Sequence, residues 1–457
     1  MSRVAIIGAG LSGLVAAHRL RATLGPAVTI EVFESADRVG GLLHSLPVAG
    51  RDTDVGAEAF VLRRPEARAL VAELGLDDEL VVPSGARPAV WADERLNALP
   101  APAWMGIPAG AEAMADLADA DDLRRMAAES TRPLAWTPGE DCSLGAFVAD
   151  RFGPSVVARS LDPMIGGVYS CLSGDTGLRA VVPALARLLD DGAPSLTAAV
   201  AALLPAPDAP RTPVFGALRG GYRRLVDALL DSASAKVRLE HPVARVARTS
   251  SGWSVDDDDF DAVVVATPAP VAARQLRTAA PVASEGLAGI ATAPSAVVAM
   301  AVPHDTPLPE LSGVLAATGE ELGRGTGPNP VKAVTLSSRK WEHFGGPGAD
   351  LRLRASFGRL GEPVTGTDAE LVATATAAVS QVCGGADVVV VDAAVQRWPG
   401  GLPCYAPGHD AVIAAVEAAL PAGVAVAGSA YAGVGVPACI GQAGAAAAAV
   451  RAHLAAL

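Results

Sequence analysis

Aromatic residues are scarce: eight Phe, six Trp and four Tyr make up 4% of a 457-residue chain. The core must be built mainly from Ala, Val and Leu, and a pocket walled with aromatic rings is disfavoured. Cations are outnumbered. Lys and Arg total 36 against 49 Asp and Glu, the formal net charge is −13, and no basic block interrupts the chain. Phosphate-backbone binding needs clustered cations, so no nucleic-acid partner is expected. Cysteine is limited to Cys142, Cys171, Cys383, Cys404 and Cys439. No two have metal-pair spacing, and the odd count reads as reduced thiols in a cytoplasmic protein. The seven histidines are scattered, so no metal site is expected. Long apolar runs are also missing. A spanning helix needs about 20 continuous apolar residues, and the nearest approach, residues 411–450, is broken by Glu417, Pro421 and several glycines. Residues 4–7 form an apolar run of strand length that leads into a glycine turn, which does not read as a signal peptide.

The chain is 51% hydrophobic and 19% charged, a globular balance. Its length suggests two or three domains. Residues 3–34 read as a strand, a helix and a second strand. Residues 65–74 read as a short helix. Residues 90–99 look like a hairpin, and 114–129 and 144–158 like helices. Residues 237–249 and 253–255 read as antiparallel strands, and 261–266 as a buried strand. Residues 296–302, 331–337 and 351–357 are β-rich, and 388–391 is a further candidate. A strand at 424–427 and a long alanine-rich helix close the chain. One dinucleotide-binding domain is therefore expected from separated pieces, residues 1–87, 214–290 and 395–457. A largely helical segment (88–213) and a sheet domain (291–394) are inserted.

The chemistry begins at Gly8, Ala9, Gly10, Leu11, Ser12 and Gly13. Gly8 permits a tight turn, Gly10 lets backbone approach a pyrophosphate, and Gly13 lets helix and strand pack closely. Unpaired N–H groups at the helix start then hold phosphate charge. Glu34 ends the second strand about 20 residues past the last glycine, where a ribose hydroxyl is recognised. NAD and FAD share this pattern. Arg38, Val39, Gly40 and Gly41 tilt it towards FAD: the glycine pair lets a second loop cross the pyrophosphate, and Arg38 adds positive charge. The small residues of Gly56, Ala57, Glu58 and Ala59 suit backbone lying along a flavin ring, with Glu58 either a surface charge or near the substrate. From Gly428 through Val434, Gly435 and Val436 to Ile440, a glycine loop runs into a helix whose N-terminus would stabilise negative charge on reduced flavin. Cys439 in that run reads as an inert buried thiol.

Together with Gly166-Gly167-Val168-Tyr169 and residues 398–405, these motifs resemble the oxygen-dependent porphyrinogen oxidases of haem synthesis, nearly end to end. The stretch Gly56 to Pro65 is similar to the soluble bacterial branch. The N-terminal third is shared with monoamine oxidases and carotene desaturases. The resemblance implies an α/β fold: a Rossmann-like FAD-binding domain with an inserted mixed-sheet substrate domain and a helical domain. It implies FAD contacts at Gly8–Gly13, Glu34, Ser35, Leu42, Gly56–Ala59, Val243, Trp398 and Val434–Val436. One departure stands out: after Tyr169 the chain reads Ser-Cys-Leu-Ser-Gly-Asp, stretching the family's Gly-Asp spacing and putting local substrate contacts, Tyr169 among them, in doubt.

The reaction implied is conversion of coproporphyrinogen III to coproporphyrin III, with O2 as acceptor and H2O2 as product. Protoporphyrinogen IX is the alternative substrate. Arg63 and Arg64 are the candidate cations for the substrate's propionates. His44 and His409 lie near motifs, but neither is a convincing base, so the catalytic residue is left open. The implied setting is cytoplasmic, with at most peripheral membrane contact and transient contact with the next haem-pathway enzyme. An amine oxidase, a carotene desaturase and a non-catalytic flavin-binding scaffold stay open. The scarcity of Tyr and Phe argues against the first.

Overall fold

The computed structural model describes residues 2–206, 212–323, 325, 327–346 and 348–457. Its first sheet is parallel. The strand order is Lys236–Arg238, Thr29–Phe33, Arg3–Ile7, Ala262–Val265 and Val424–Val426. Side chains alternate across it: Val4 and Ile6 enter one core, Ala5 and Ile7 the other. Ala262–Val265 and Val424–Val426 are buried at every residue, as strands covered on both faces must be. Helices Leu11–Leu24, Tyr222–Ala233 and Val436–Leu454 pack on one face. Ala269–Leu276 and Pro281–Ala288 cover the other, with a three-stranded antiparallel sheet.

The second sheet has seven strands in the order Asp392–Pro403, Thr292–Val302, Leu351–Phe357, Val331–Thr335, Gly313–Ala316, Ala89–Ala92 and Arg95–Ala98. All its pairs are antiparallel except Gly313–Ala316 with Ala89–Ala92. Helix Asp368–Val382, opened by a Thr367/Glu370 capping box, covers one face through Leu371, Ala375 and Val379. On the other face Val297, Ala299 and Ala301 meet Val48 and Val55, which join it to the segment carrying residues 56–59. A helical unit containing Leu144–Phe152, Asp162–Tyr169, Pro183–Asp190 and Leu196–Leu203 packs around Phe152, Leu161, Ile165 and Leu185.

Four expectations change. The hairpin near residues 90–99 is not part of the helical unit: it extends the seven-stranded sheet, because Val90 and Trp91 pair with Leu315 and Ala316. Residues 388–391 form no strand; the edge strand starts at Asp392 and runs unbroken to Pro403, so a domain boundary at 394/395 cuts through it. The expected strand 237–249 is split. Lys236–Arg238 joins the parallel sheet and Val246–Arg248 the antiparallel one. Between them Glu240 has positive φ and Pro242 has no N–H, so the ladder stops. The helix expected at 114–129 shortens to Ala120–Ala127, flanked by tighter turns.

Candidate functional site

Three loops meet at the C-terminal ends of the parallel strands, where an open α/β sheet binds its ligand. The first is the turn 8–10. Gly8 has φ +104, and a Cβ on Gly13 would sit 1.9 Å from the Gly8 carbonyl oxygen, so the helix meets the turn only with glycine there. The second loop crosses it: Gly40 N–H donates to the Ala9 carbonyl at 2.8 Å, and a Cβ on Gly41 would lie 3.0 Å from the Gly10 Cα. Arg38 folds back onto this loop. Its guanidinium donates to the carbonyls of Val39 and Gly41 at 3.2 and 3.0 Å and lies 5.8 Å from the Trp398 ring centroid. Burial pulls its pKa down from the ordinary arginine value.

Glu34 stands at the end of its strand. One carboxylate oxygen accepts from Ala9 N–H at 2.8 Å; the other accepts from Ala36 N–H at 2.9 Å and the Ser35 hydroxyl at 3.2 Å. Val243 is buried, and its carbonyl accepts from the Gln275 amide at 3.1 Å, which fixes that segment against helix Ala269–Leu276.

The third loop runs from Gly428 to Gly435 into helix Val436–Leu454. Tyr405 pins it: its hydroxyl donates to the Ser429 carbonyl and accepts from Gly433 N–H, the latter at 2.9 Å. His409 stacks on Tyr405 with centroids 4.0 Å apart, and its Nε2 lies 2.9 Å from the Ala430 carbonyl. This histidine supports the loop. His44 packs edge-on against Trp398. Burial lowers the pKa of both rings, and neither is posed as a base. Cys439 is buried, its thiol pushed up to about 11 by that burial and donating to the carbonyls of Gly433 and Val434 at 3.9 and 4.0 Å, and helices Leu11–Leu24 and Val436–Leu454 pack against each other.

Both helices begin at a glycine, with no side-chain cap and no acid in the first turn. Their first N–H groups have no intrahelical partners. The backbone around 56–59 adds to this. Gly56 presses on the Leu42 carbonyl, 1.8 Å from where a Cβ would be, and Ala57 N–H donates to that carbonyl at 3.3 Å. Among the described residues the N–H groups of Glu58 and Ala59 have no partner. Two uncapped helix starts, a glycine crossing and free backbone donors fit a dinucleotide carrying a flavin ring.

Glu58 is not a surface charge: its side chain is 11% exposed. Its oxygens accept from the Ser337 hydroxyl and the Lys340 ammonium, each at 2.7 Å, with Arg354 Nη1 3.7 Å away. Despite burial, these neighbours hold its pKa down to about 2. Arg354 also donates to the Gly56 carbonyl at 2.7 Å. Sequence reading missed Ser337, Lys340 and Arg354, although Leu-Arg-Leu-Arg-Ala-Ser-Phe at 351–357 alternates and so puts Arg354 opposite the buried leucines.

Arg63 and Arg64 are exposed beyond the 56–59 loop, and Arg64 is paired with Glu66 at the start of helix Pro65–Glu73. Tyr169 is buried against Tyr405, with its hydroxyl pushed up to about 12 by burial; the neighbouring Gly167 and Val168 are exposed instead. The stretched loop after it is ordered by Asp162, which accepts from Ser173 N–H and hydroxyl at 2.8 and 2.6 Å. Lys332 is buried with its ammonium on the Ser170 hydroxyl and the Gly358 carbonyl, and burial pulls it down to about 7. All five cysteines are free, and the Cys404 thiol donates to the Asp175 carbonyl at 3.5 Å. No metal-ligand cluster occurs among the described residues.

The profile of flavin containing amine oxidoreductases matches residues 11–451. The chain belongs to that family. Its cofactor is FAD, and it is a flavin-dependent oxidoreductase. It is 45% identical, over 98% of both chains, to the coproporphyrinogen III oxidase of Mycobacterium leprae. It is 27% identical, over 96% of both, to that of Bacillus subtilis. A crystal structure from Exiguobacterium sp. 255-15, assigned as a protoporphyrinogen oxidase, has the same fold: TM-score 0.85 over 99% of both chains, at 24% identity. The flavoprotein also shares its fold with cyclohexylamine oxidase from Brevibacterium oxydans, at TM-score 0.67 over 99% of both and 17% identity.

Proposed function

We propose that this flavoprotein oxidises coproporphyrinogen III to coproporphyrin III with O2, releasing H2O2. The observation that carries the reading is the 45% identity over 98% of both chains to a relative of that activity. FAD held by the site's residues would supply the redox chemistry, a two-electron oxidation of the substrate at a bridging carbon with O2 as final acceptor. Six hydrogens leave the macrocycle, so three turns consume three O2.

The chain's own residues bind and orient. Glu34 receives the ribose hydroxyls, and the start of helix Leu11–Leu24 takes the pyrophosphate. The start of helix Val436–Leu454 stabilises negative charge at the far end of the cofactor. Ser35, Leu42, Val243 and Trp398 complete the proposed cofactor contacts. Residues 56–59 set the plane on which the substrate's bridging carbon is presented. A side-chain base is not needed, because loss of a pyrrole N–H proton to water assists hydride departure. Arg63 and Arg64 are exposed beyond this loop and receive propionates. Tyr169, buried against Tyr405, acts only by shaping the helix that presents Gly167 and Val168. We place the enzyme in the cytoplasm; no helix among the described residues is long and apolar enough to cross a membrane. A hand-over of product to the next haem-pathway enzyme belongs to the same reading.

Anaerobic mixing with each porphyrinogen, followed by air, tests it. Flavin absorbance should bleach with coproporphyrinogen III and recover with O2 as porphyrin fluorescence and peroxide appear. Faster bleaching by protoporphyrinogen IX would reverse the substrate assignment, and no bleaching by either would sink the reaction.

A further inference from the structure

On the reading that residues 56–59 lie along the flavin, we infer that Arg354 is a positioning residue for the cofactor, with Glu58 as its counter-ion. Arg354 stands on strand Leu351–Phe357, inside the seven-stranded sheet, yet its guanidinium reaches the glycine loop of the other domain. The peptide between Gly56 and Ala57 is pinned at both ends. Its carbonyl accepts from Arg354 Nη2 at 2.7 Å, and its N–H donates to Leu42 at 3.3 Å. The preceding carbonyl, of Val55, accepts from the Trp398 indole at 3.0 Å. Three segments thus grip consecutive peptides, and only Arg354 brings a charge. Hydrogen bonds from a charged donor are the stronger kind.

The next N–H groups, of Glu58 and Ala59, are left without partners. A peptide plane fixed at 56–57 sets where those two N–H groups point. Arg354 therefore acts on the flavin edge through Gly56. Glu58 is held by its carboxylate on Ser337 and Lys340. Its side chain is 11% exposed and both oxygens are engaged by Ser337 and Lys340, so it neutralises the cations under the loop and is unavailable as an acid or ligand.

The experiment uses Arg354→Gln, Arg354→Lys and Glu58→Gln in the full chain. It reads FAD affinity of the apoprotein, the flavin absorbance band, the flavin midpoint potential and the apoprotein melting temperature. Arg354→Gln should weaken FAD binding by about ten- to a hundred-fold and shift both band and potential, while Arg354→Lys restores part of the affinity. Glu58→Gln, which keeps the shape and removes the charge, should shift the potential with FAD still bound. If Arg354→Gln folds and keeps wild-type affinity, band and potential, the inference falls. If Arg354→Gln does not fold, an unshifted potential in Glu58→Gln overturns it. Wild-type protein that holds FAD and oxidises no porphyrinogen would instead remove the substrate assignment and leave the role of Arg354 standing.

Discussion

Asp54 lies two residues before Gly56, where the Ser45 hydroxyl donates to it at 2.5 Å and Tyr222 N–H at 3.2 Å. Burial outweighs these bonds and the nearby Arg354, and pushes its pKa up from 3.8 to about 6. The folded protein therefore binds more protons than the unfolded chain between those values. Asp54's contribution to stability is full below about pH 4 and falls as pH rises to about 6, by on the order of 2–3 kcal/mol. Asp54→Asn removes this titration. Its melting temperature should gain on wild type between pH 4 and pH 7, and a constant difference would refute the assignment. Arg63 and Arg64 act at the same scale. Changing both to Gln should raise KM several-fold for a tetracarboxylate porphyrinogen, less for a dicarboxylate one, and leave FAD affinity alone. Equal effects on both substrates would show that neither arginine meets a propionate. Glu34 and Gly13 were legible because spacing along one short segment decides them. Glu58's role was not: its partners Ser337, Lys340 and Arg354 lie 279, 282 and 296 residues away, and no periodicity reports such a meeting.

Elements carry the cofactor reading further. Gly435 is the N-cap of helix Val436–Leu454, with φ −74 and ψ 153, a conformation open to any residue. A Cβ there meets only Pro437 Cδ at 3.8 Å. Aspartate is a better N-cap than glycine by a few tenths of a kcal/mol, and the helix dipole adds to this. Gly435→Asp should thus raise the apoprotein's melting temperature slightly, yet lower flavin content and turnover, because a carboxylate would stand where cofactor charge belongs. Gains in both stability and flavin content would show that this helix start faces something else. The strands of the parallel sheet could be read from β-branched runs. The break at Glu240–Pro242 was also written in the sequence, as a proline within a strand pattern. The hairpin at residues 89–98 was recognisable as a hairpin, but its sheet was not, since an edge-to-edge pairing with Gly313–Ala316 leaves no local mark.

Across the molecule, the proposed FAD site draws on residues 8–13, 34–42, 56–59, 243 and 428–436, which are far apart in sequence and held by packing between sheets. Binding to such a site stabilises every segment that contributes to it, by about 2.7 kcal/mol at a hundred-fold excess over Kd. Stripping FAD should lower the melting temperature and raise amide exchange in residues 8–13 and 428–440 together. Exchange that rises in only one of them would mean that the two loops do not share a ligand. The strand-helix-strand pattern of residues 3–34 and the family resemblance pointed to an α/β chain, but the exact seams between inserted and parent domains depend on pairings such as Asp392–Pro403 with Thr292–Val302. Those pairings are settled by which strand edge is left open once everything else has packed, and that is decided only in three dimensions.

The parallel sheet also imposes an order in time. Arg3–Ile7 leaves the ribosome first, but its neighbour Ala262–Val265 and the closing strand Val424–Val426 follow hundreds of residues later. At about 5–20 residues per second, the oldest strand waits on the order of tens of seconds for its sheet to close. Meanwhile the helical unit and then the seven-stranded sheet are complete in the emerging chain. A message cut short just before residue 424 would yield a protein with two finished bodies, an uncovered edge at Ala262–Val265 and Leu11–Leu24 stripped of its packing against Val436–Leu454. Such a product would be prone to pair through that edge, so the segment from Val424 onward is what closes this flavoprotein's parallel sheet.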